Sequence, residues 1–170
     1  MTRPTDDPLP PPRPVRTGDA AWPLHDGAGT RRLEAAGLAA TPPHTLMQRA
    51  GLAVARLAQA VADPGAPVLV LAGGGNNGGD GLAAAVHLAA WGRRVQVVAL
   101  GREDTLPDDA RDALARARAA GLTIQTALPA SPPAAGTLVV DALLGLGLRS
   151  APRDPLAEAI AWLNHGRPTV

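Results

Sequence analysis

The sequence predicts an α/β protein, a Rossmann-like three-layer sandwich built on a mostly parallel sheet. Three observations predict it. Apolar runs of four to six residues alternate with segments of helix-forming composition. The run Val68–Leu71, bounded by Pro67 and Gly73, has no polar alternation and reads as a strand covered on both faces. It leads into six glycines within nine residues, Gly73 to Gly81, and then into Leu-Ala-Ala-Ala-Val-His-Leu-Ala-Ala-Trp91. Strand, glycine corner and helix form the layout of a phosphate-binding corner, in which the backbone approaches a ligand and free amides at the helix start face an anion.

The elements follow in order. Residues 1–20 carry Pro4, Pro8, Pro10, Pro11, Pro12 and Pro14 and little to bury, which predicts a disordered or polyproline tail; residues 21–170 form the domain. Packing is expected to begin at Trp22 and Leu24. Thr30–Gly37 reads as a short helix closed by its glycine. A longer helix is expected over about Pro43–Ala62, with Thr45 and Gln48 spaced as a capping box. Leu46, Ala50, Val54, Leu57 and Val61 recur at helical spacing and predict its buried face. Gly51 inside it implies a close packing partner. After the glycine corner, a helix over about Gly79–Trp91 is apolar nearly all round and stops at Gly92. Val95–Leu100 is a second strand. Asp108–Ala120 is a helix with acids at the positive end of its dipole and Arg116 and Arg118 at the negative end, closed by Gly121. Leu122–Thr126 and Thr137–Val140 are the third and fourth strands, Pro155–Asn164 is a helix, and Pro168-Thr-Val170 begins a fifth strand. Right-handed crossovers then place helices on both faces and bring the glycine loops, Asp80 and Asp141 to the carboxyl edge of the sheet.

Composition narrows the functional classes. At 170 residues a single domain is expected, and 46% apolar content suffices for a core built from Ala, Leu and Val, since Phe and Tyr are absent. All sixteen cations are Arg, which fits a coding bias, and the net charge is only +1. No basic stripe interleaves with aromatics, so nucleic-acid binding is not expected. Without cysteine there is no disulfide framework and no thiolate zinc site. No signal pattern opens the chain and no apolar run reaches ~18 residues, so the expectation is a cytoplasmic protein with no membrane association.

Gly73-x-Gly75-x-x-Gly78 satisfies the dinucleotide fingerprint, but that reading also requires an acid about 20 residues on, where Glu103 is the nearest. The hexad Asn76-Asn77-Gly78-Gly79-Asp80-Gly81 is more specific. Two carboxamides and a carboxylate offer the oxygens a hard cation needs, and adjacent glycine amides offer donors to a phosphate. His25, His44, His87 and His165 show no metal spacing; His87, Trp91 and Trp162 are expected to pack, or Trp91 and Trp162 to meet a second copy.

The hexad after an apolar strand resembles the YjeF N-terminal domain family, the NAD(P)H-hydrate epimerases. Leu46-Met47-Gln48-Arg49-Ala50-Gly51 is similar to that family's Leu-Met-Glu-x-Ala-Gly helix. Val140-Asp141-Ala142-Leu143-Leu144-Gly145-Leu146-Gly147 resembles its Val-Asp-Ala-Leu-x-Gly-x-Gly segment, and Arg31-Arg32-Leu33-Glu34 is compatible with its first helix. The resemblance implies epimerisation of the R and S forms of hydrated NADH and NADPH, which carry a hydroxyl on C6 of the nicotinamide ring. It implies one potassium ion per site, a homodimer, and a dehydratase, fused or separate, acting on the S form. Carried over by position, it implies substrate contacts from Asn76, Asn77, Gly78, Gly79 and Asp80. A second substrate loop runs through Gly145, Leu146, Gly147, Leu148, Arg149, Ser150 and Ala151, and potassium ligands come from Asn77 and Asp141. Asp80 is the candidate acid/base.

In the family an Asp-x-Pro-Ser-Gly segment follows the strand that begins here at Thr169, supplying a substrate-contacting Asp and a potassium-ligating Ser. The sequence stops at Val170, so the expectation is this fold truncated on its carboxyl side, with an incomplete site, weak binding and little or no activity by itself. Two other readings stay open: an NAD(P)-binding oxidoreductase domain, and a non-catalytic binding module of the same fold.

Overall fold

The computed structural model describes residues 25–148 and 150–166. Four strands form one parallel sheet in the order β3-β2-β1-β4: β1 (Val68–Ala72), β2 (Val95–Ala99), β3 (Ile124–Gln125) and β4 (Leu138–Ala142). β1 lies between β2 and β4, with Val68 opposite both Val95 and Leu138. All five of its residues are buried, which is why the run has no polar alternation. The helices are α1 (Gly27–Ala40), α2 (Thr45–Val61), α3 (Asn76–Ala90), α4 (Asp108–Ala119) and α5 (Leu156–Gly166).

The strands' alternating side chains divide the core into two layers. Val68, Val70, Val97 and Leu138 pack with Met47 and Ala55 of α2, Leu82 and Leu88 of α3, and Leu114 of α4. Leu69, Leu71, Val98 and Val139 pack on the other face with Ala159 and Leu163 of α5. Helices on both faces of a parallel sheet make the expected three-layer α/β sandwich. The Pro-rich tail, Trp22, Leu24 and the start of the fifth strand lie outside the described residues.

Several local expectations differ from the structure. α1 runs three residues past Gly37, which packs instead against the Leu46 side chain, where a Cβ would stand 3.0 Å from Cδ1. Asp26 caps the start of the helix, its carboxylate accepting from Gly29 N–H at 2.7 Å. The capping box at Thr45 does not form. Thr45 is already helical, and His44 is the cap residue at φ 64, its imidazole bonded to Asp109 instead. β3 is two residues long: Leu122 N–H closes α4 by bonding Ala117 O, leaving only Ile124 and Gln125 to reach β2.

The largest difference is the rotation of α2. Its buried residues are Met47, Gly51, Ala55 and Ala58, whereas Leu57 and Val61, expected inside, are 63% and 61% exposed. The reason is close approach to α3. A Cβ at Gly51 would overlap the Ala83 side chain and stand 2.9 Å from backbone atoms of Ala83 and Ala84. Helices this close admit only small residues where they touch, so Gly51, Ala55 and Ala58 turn inward there and Leu57 and Val61 turn out. Ala55→Leu should therefore cost about 1–3 kcal/mol by overpacking, while Leu57→Gln should change stability by less than about 0.5 kcal/mol. Paired thermal melts would check this; equal losses would refute the rotation.

Candidate active site

α3 begins at Asn76, three residues earlier than its composition suggests, because Gly75 provides an extended cap residue (φ −120, ψ −171). Asn76 and Asn77 therefore occupy the first helical turn and not a preceding loop. Gly79 N–H is the first to bond back, to Gly75 O at 3.1 Å. The amides of Asn76, Asn77 and Gly78 lack helical acceptors and carry the positive end of the helix dipole.

The glycines of the corner are required by proximity. A Cβ at Gly78 would overlap the Gly73 carbonyl, one at Gly79 would meet Met47 Sδ at 2.5 Å, and one at Gly81 would meet Ala142 Cβ at 2.5 Å. Gly73 in turn abuts the Leu143 backbone. The first glycine loop, the α3 terminus and the loop after β4 thus pack backbone to backbone. Asn77 ties them: its Nδ2 donates to Leu144 O at 3.2 Å, and Gly145 sits where a Cβ would be 3.1 Å from Asn77 Cβ.

A cleft of about 890 Å³ opens above this corner. Of the expected substrate residues, Asn76, Asn77, Asp80, Gly145, Leu146, Gly147, Leu148 and Ser150 line it. Gly78 and Gly79 are buried beneath its floor. Ala151 is exposed and Arg149 lies outside the described residues. Asp141 is in register with Leu71 near the end of β4, and its Oδ1 accepts from Leu143 N–H at 3.0 Å. Asp141 and Asn77 hold successive residues of one loop, Leu143 and Leu144, and no hydrogen bond joins the two side chains.

Asp80 stands one helical turn beyond Asn76 and is half-buried. Burial pushes its carboxyl up from 3.8 to about 6, assisted by the nearby charges of Glu34 and then Asp109. Asp109, in the first turn of α4, is hydrogen-bonded through Oδ1 to His44 Nδ1 at 2.6 Å. The sequence did not single out Arg31 and Glu34 as site residues, yet both line the cleft from α1. Their i, i+3 spacing on a helix was legible; which face of α1 meets the corner was not.

The features of a hydride-transfer site are otherwise engaged. Glu103, nearest to the expected ribose acid, accepts two bonds from Arg118 at 2.7 and 2.8 Å, which hold its carboxyl below the usual range; Arg102 pairs with Asp104. His87 packs 6.0 Å from the Trp91 ring, its burial lowering its pKa.

Residues 43–170 match the family model described as YjeF-related protein N-terminus. The chain is 52% identical over 103 residues to a Bordetella pertussis protein named NAD(P)H-hydrate epimerase, covering 61% of this chain and 44% of that one. It is 44% identical over 124 residues to the bifunctional NAD(P)H-hydrate repair enzyme Nnr of Hyperthermus butylicus, covering 70% of this chain and 23% of that one. The chain thus spans less than half the length of these relatives. The crystal structure of yeast ynu0, YNL200c, superposes with a TM-score of 0.66 at 23% identity, over 82% of this chain and 63% of that one, a likeness of fold. With the family model matching about three quarters of this chain, residues 43–170, the chain belongs to the YjeF-related protein N-terminus family.

Proposed function

We propose that this domain epimerises the R and S forms of hydrated NADH and NADPH. The observation that carries the reading is the juxtaposition, in one cleft, of an open helix terminus suited to a pyrophosphate and a half-buried carboxyl whose pKa of about 6 lets it both give and take a proton near neutral pH. The names of the relatives support the same activity.

In this mechanism the amides at the start of α3 bind the phosphates and the nicotinamide ring lies toward Asp80. Protonated Asp80 gives its proton to the C6 hydroxyl. The C6–O bond breaks as the ring nitrogen's electron pair forms an iminium, and water leaves. Water then adds to the opposite face of C6 and returns a proton to the Asp80 carboxylate. Proton, water and electron pair are all restored, so the reaction needs no redox partner.

A potassium ion belongs to the same proposal, and the available donors suit it. Asn77 uses its Nδ2 on Leu144 and leaves its carbonyl oxygen as an acceptor; Asp141 uses Oδ1 on Leu143 and leaves Oδ2. Among the described residues no three of His, Asp and Glu gather to hold a metal, so a cation here would draw on amide and backbone oxygens as well, as hard cations do. Bound there, it would supply positive charge beside the phosphates. The reading also includes pairing of two copies and a dehydratase that consumes the S form.

The test is a thermal-shift titration with hydrated and intact NADPH, followed by chromatographic assay of R/S interconversion. A larger shift with the hydrate, with interconversion above the spontaneous rate, is expected. Equal shifts by both dinucleotides with no interconversion would point to a plain dinucleotide-binding domain. Among the described residues no helix is long and apolar enough to cross a membrane.

A further inference from the structure

We propose that Arg31 of α1 is the residue that recognises the substrate's pyrophosphate, facing it across the cleft from the open end of α3. This assignment rests on the dinucleotide reading above and extends it to a helix that precedes the family-matched residues 43–170. Three observations carry it.

The first is charge. The titratable groups lining the cleft among the described residues are Arg31, Glu34 and Asp80. Two are acids, and they lie close enough for Glu34 to oppose ionisation of Asp80. A doubly charged pyrophosphate placed against that acidic pair would be repelled, whereas an uncharged ring would not. Among the described residues this charge pattern favours an orientation with the anionic centre toward Arg31 and the amides of Asn76 and Asn77 and the hydrated ring toward Asp80.

The second is availability. Among the described residues Arg31 enters no ion pair, whereas Arg102, Arg111, Arg116 and Arg118 each hold a carboxylate at 2.6–2.7 Å. Its guanidinium lies back over the first turn of α1, both terminal nitrogens 3.8 Å from where a Cβ at Gly27 would stand, so the glycine leaves that side open. The planar fork suits bidentate contact with phosphate oxygens.

The third is position. Arg31 and Glu34 are one turn apart on the same face of α1, as Asn76 and Asp80 are on α3. The two helices each present a group that favours an anion and an acid to the same cleft.

The experiment titrates the chain with sodium pyrophosphate by calorimetry, comparing wild type, R31Q, R31K and R32Q. Arg32 is the neighbouring exposed cation and does not line the cleft, so R32Q controls for net charge. R31Q is expected to weaken binding about tenfold or more, with R31K intermediate because the charge remains and the fork is lost. R32Q should stay within about twofold of wild type. In the epimerase assay R31Q should raise KM and leave kcat nearly unchanged. Affinity of R31Q equal to wild type, an equal loss in R32Q, or no measurable pyrophosphate binding by wild type would overturn the assignment. Loss of pyrophosphate binding in R31Q from a protein that does not interconvert the epimers would support Arg31 while removing the epimerase reading. Full interconversion with unchanged KM in R31Q would remove Arg31 alone.

Discussion

Asp80→Asn is expected to lower the rate of R/S interconversion by about 10²–10⁴-fold and, at the same time, to make the protein more stable above pH 6. Both effects follow from one environment. The carboxyl is half-buried and faces the charges of Glu34 and Asp109, so it ionises near 6 in the folded chain and near 3.8 when unfolded. The native state therefore holds this proton more tightly than the unfolded state does. As pH rises from about 4 to about 6 the unfolded chain has released the proton and the native chain still binds it, so stability falls through that window. The destabilisation is absent at lower pH and complete above the folded value. An asparagine cannot ionise and removes it. The unscreened gain from a displacement of this size is about 3 kcal/mol, and partial solvent exposure of the side chain reduces the expected gain to about 1 kcal/mol.

Thermal melts of the two proteins at pH 4 and pH 8 would check this. They should coincide at pH 4 and diverge at pH 8 with the variant higher, while interconversion measured at pH 7 collapses. A variant that retains turnover would take the acid/base role away from Asp80. A variant less stable at pH 8 would show that the carboxylate is compensated by a contact its burial does not suggest. The paired outcome separates a functional acid from a structural one, because a side chain retained for stability would not destabilise the fold at the working pH.

Gly78→Ala carries the second large effect, a loss on the order of 3 kcal/mol or more with collapse of the corner. The added Cβ would overlap the Gly73 carbonyl and lie 2.8 Å from its carbonyl carbon and 2.9 Å from its nitrogen. Every one of these is a backbone atom, so no rotamer change relieves the contact. Moving Gly73 would push it into the Leu143 backbone it already abuts, disturbing the loop that Asn77 holds. Gly75→Ala, three residues earlier in the same run, should cost less than about 1 kcal/mol, since φ is −120 there and nothing lies within 4 Å of the new Cβ. Circular-dichroism melts of the pair would decide it: equal destabilisation would mean that the run is needed for chain flexibility and not for close packing.

That contrast shows how far the sequence could be read. The run of glycines predicts a turn between strand and helix, and the structure puts that turn and the loop Gly145–Leu148 in one cleft at the carboxyl edge of the sheet. Which glycines are indispensable is not written in the run: Gly78 is crowded by the fold of the run back on Gly73, while Gly73, Gly79 and Gly81 are crowded by Leu143, Met47, Ala110 and Ala142, up to about 70 positions away. The buried face of α2 was misassigned for the same reason. Hydrophobic periodicity ranks residues by size and polarity, whereas a helix packed at close range on α3 needs small side chains, Gly51, Ala55 and Ala58, at the point of contact. Glu34 and Asp109, which add to the effect of burial on the ionisation of Asp80, come from α1 and α4 and share no local pattern with it.

The sequence by itself determined the order of strands and helices, the parallel sheet, the glycine corner and the family, because each is written in local period, turn chemistry or contiguous motif. Only the tertiary structure decided the rotation of α2, the start of α3 at Asn76, the burial that raises Asp80 and the arrival of Arg31 and Glu34 in the cleft. Those depend on which small residues let helices approach and on charges brought together through space, and neither leaves a signature along the chain.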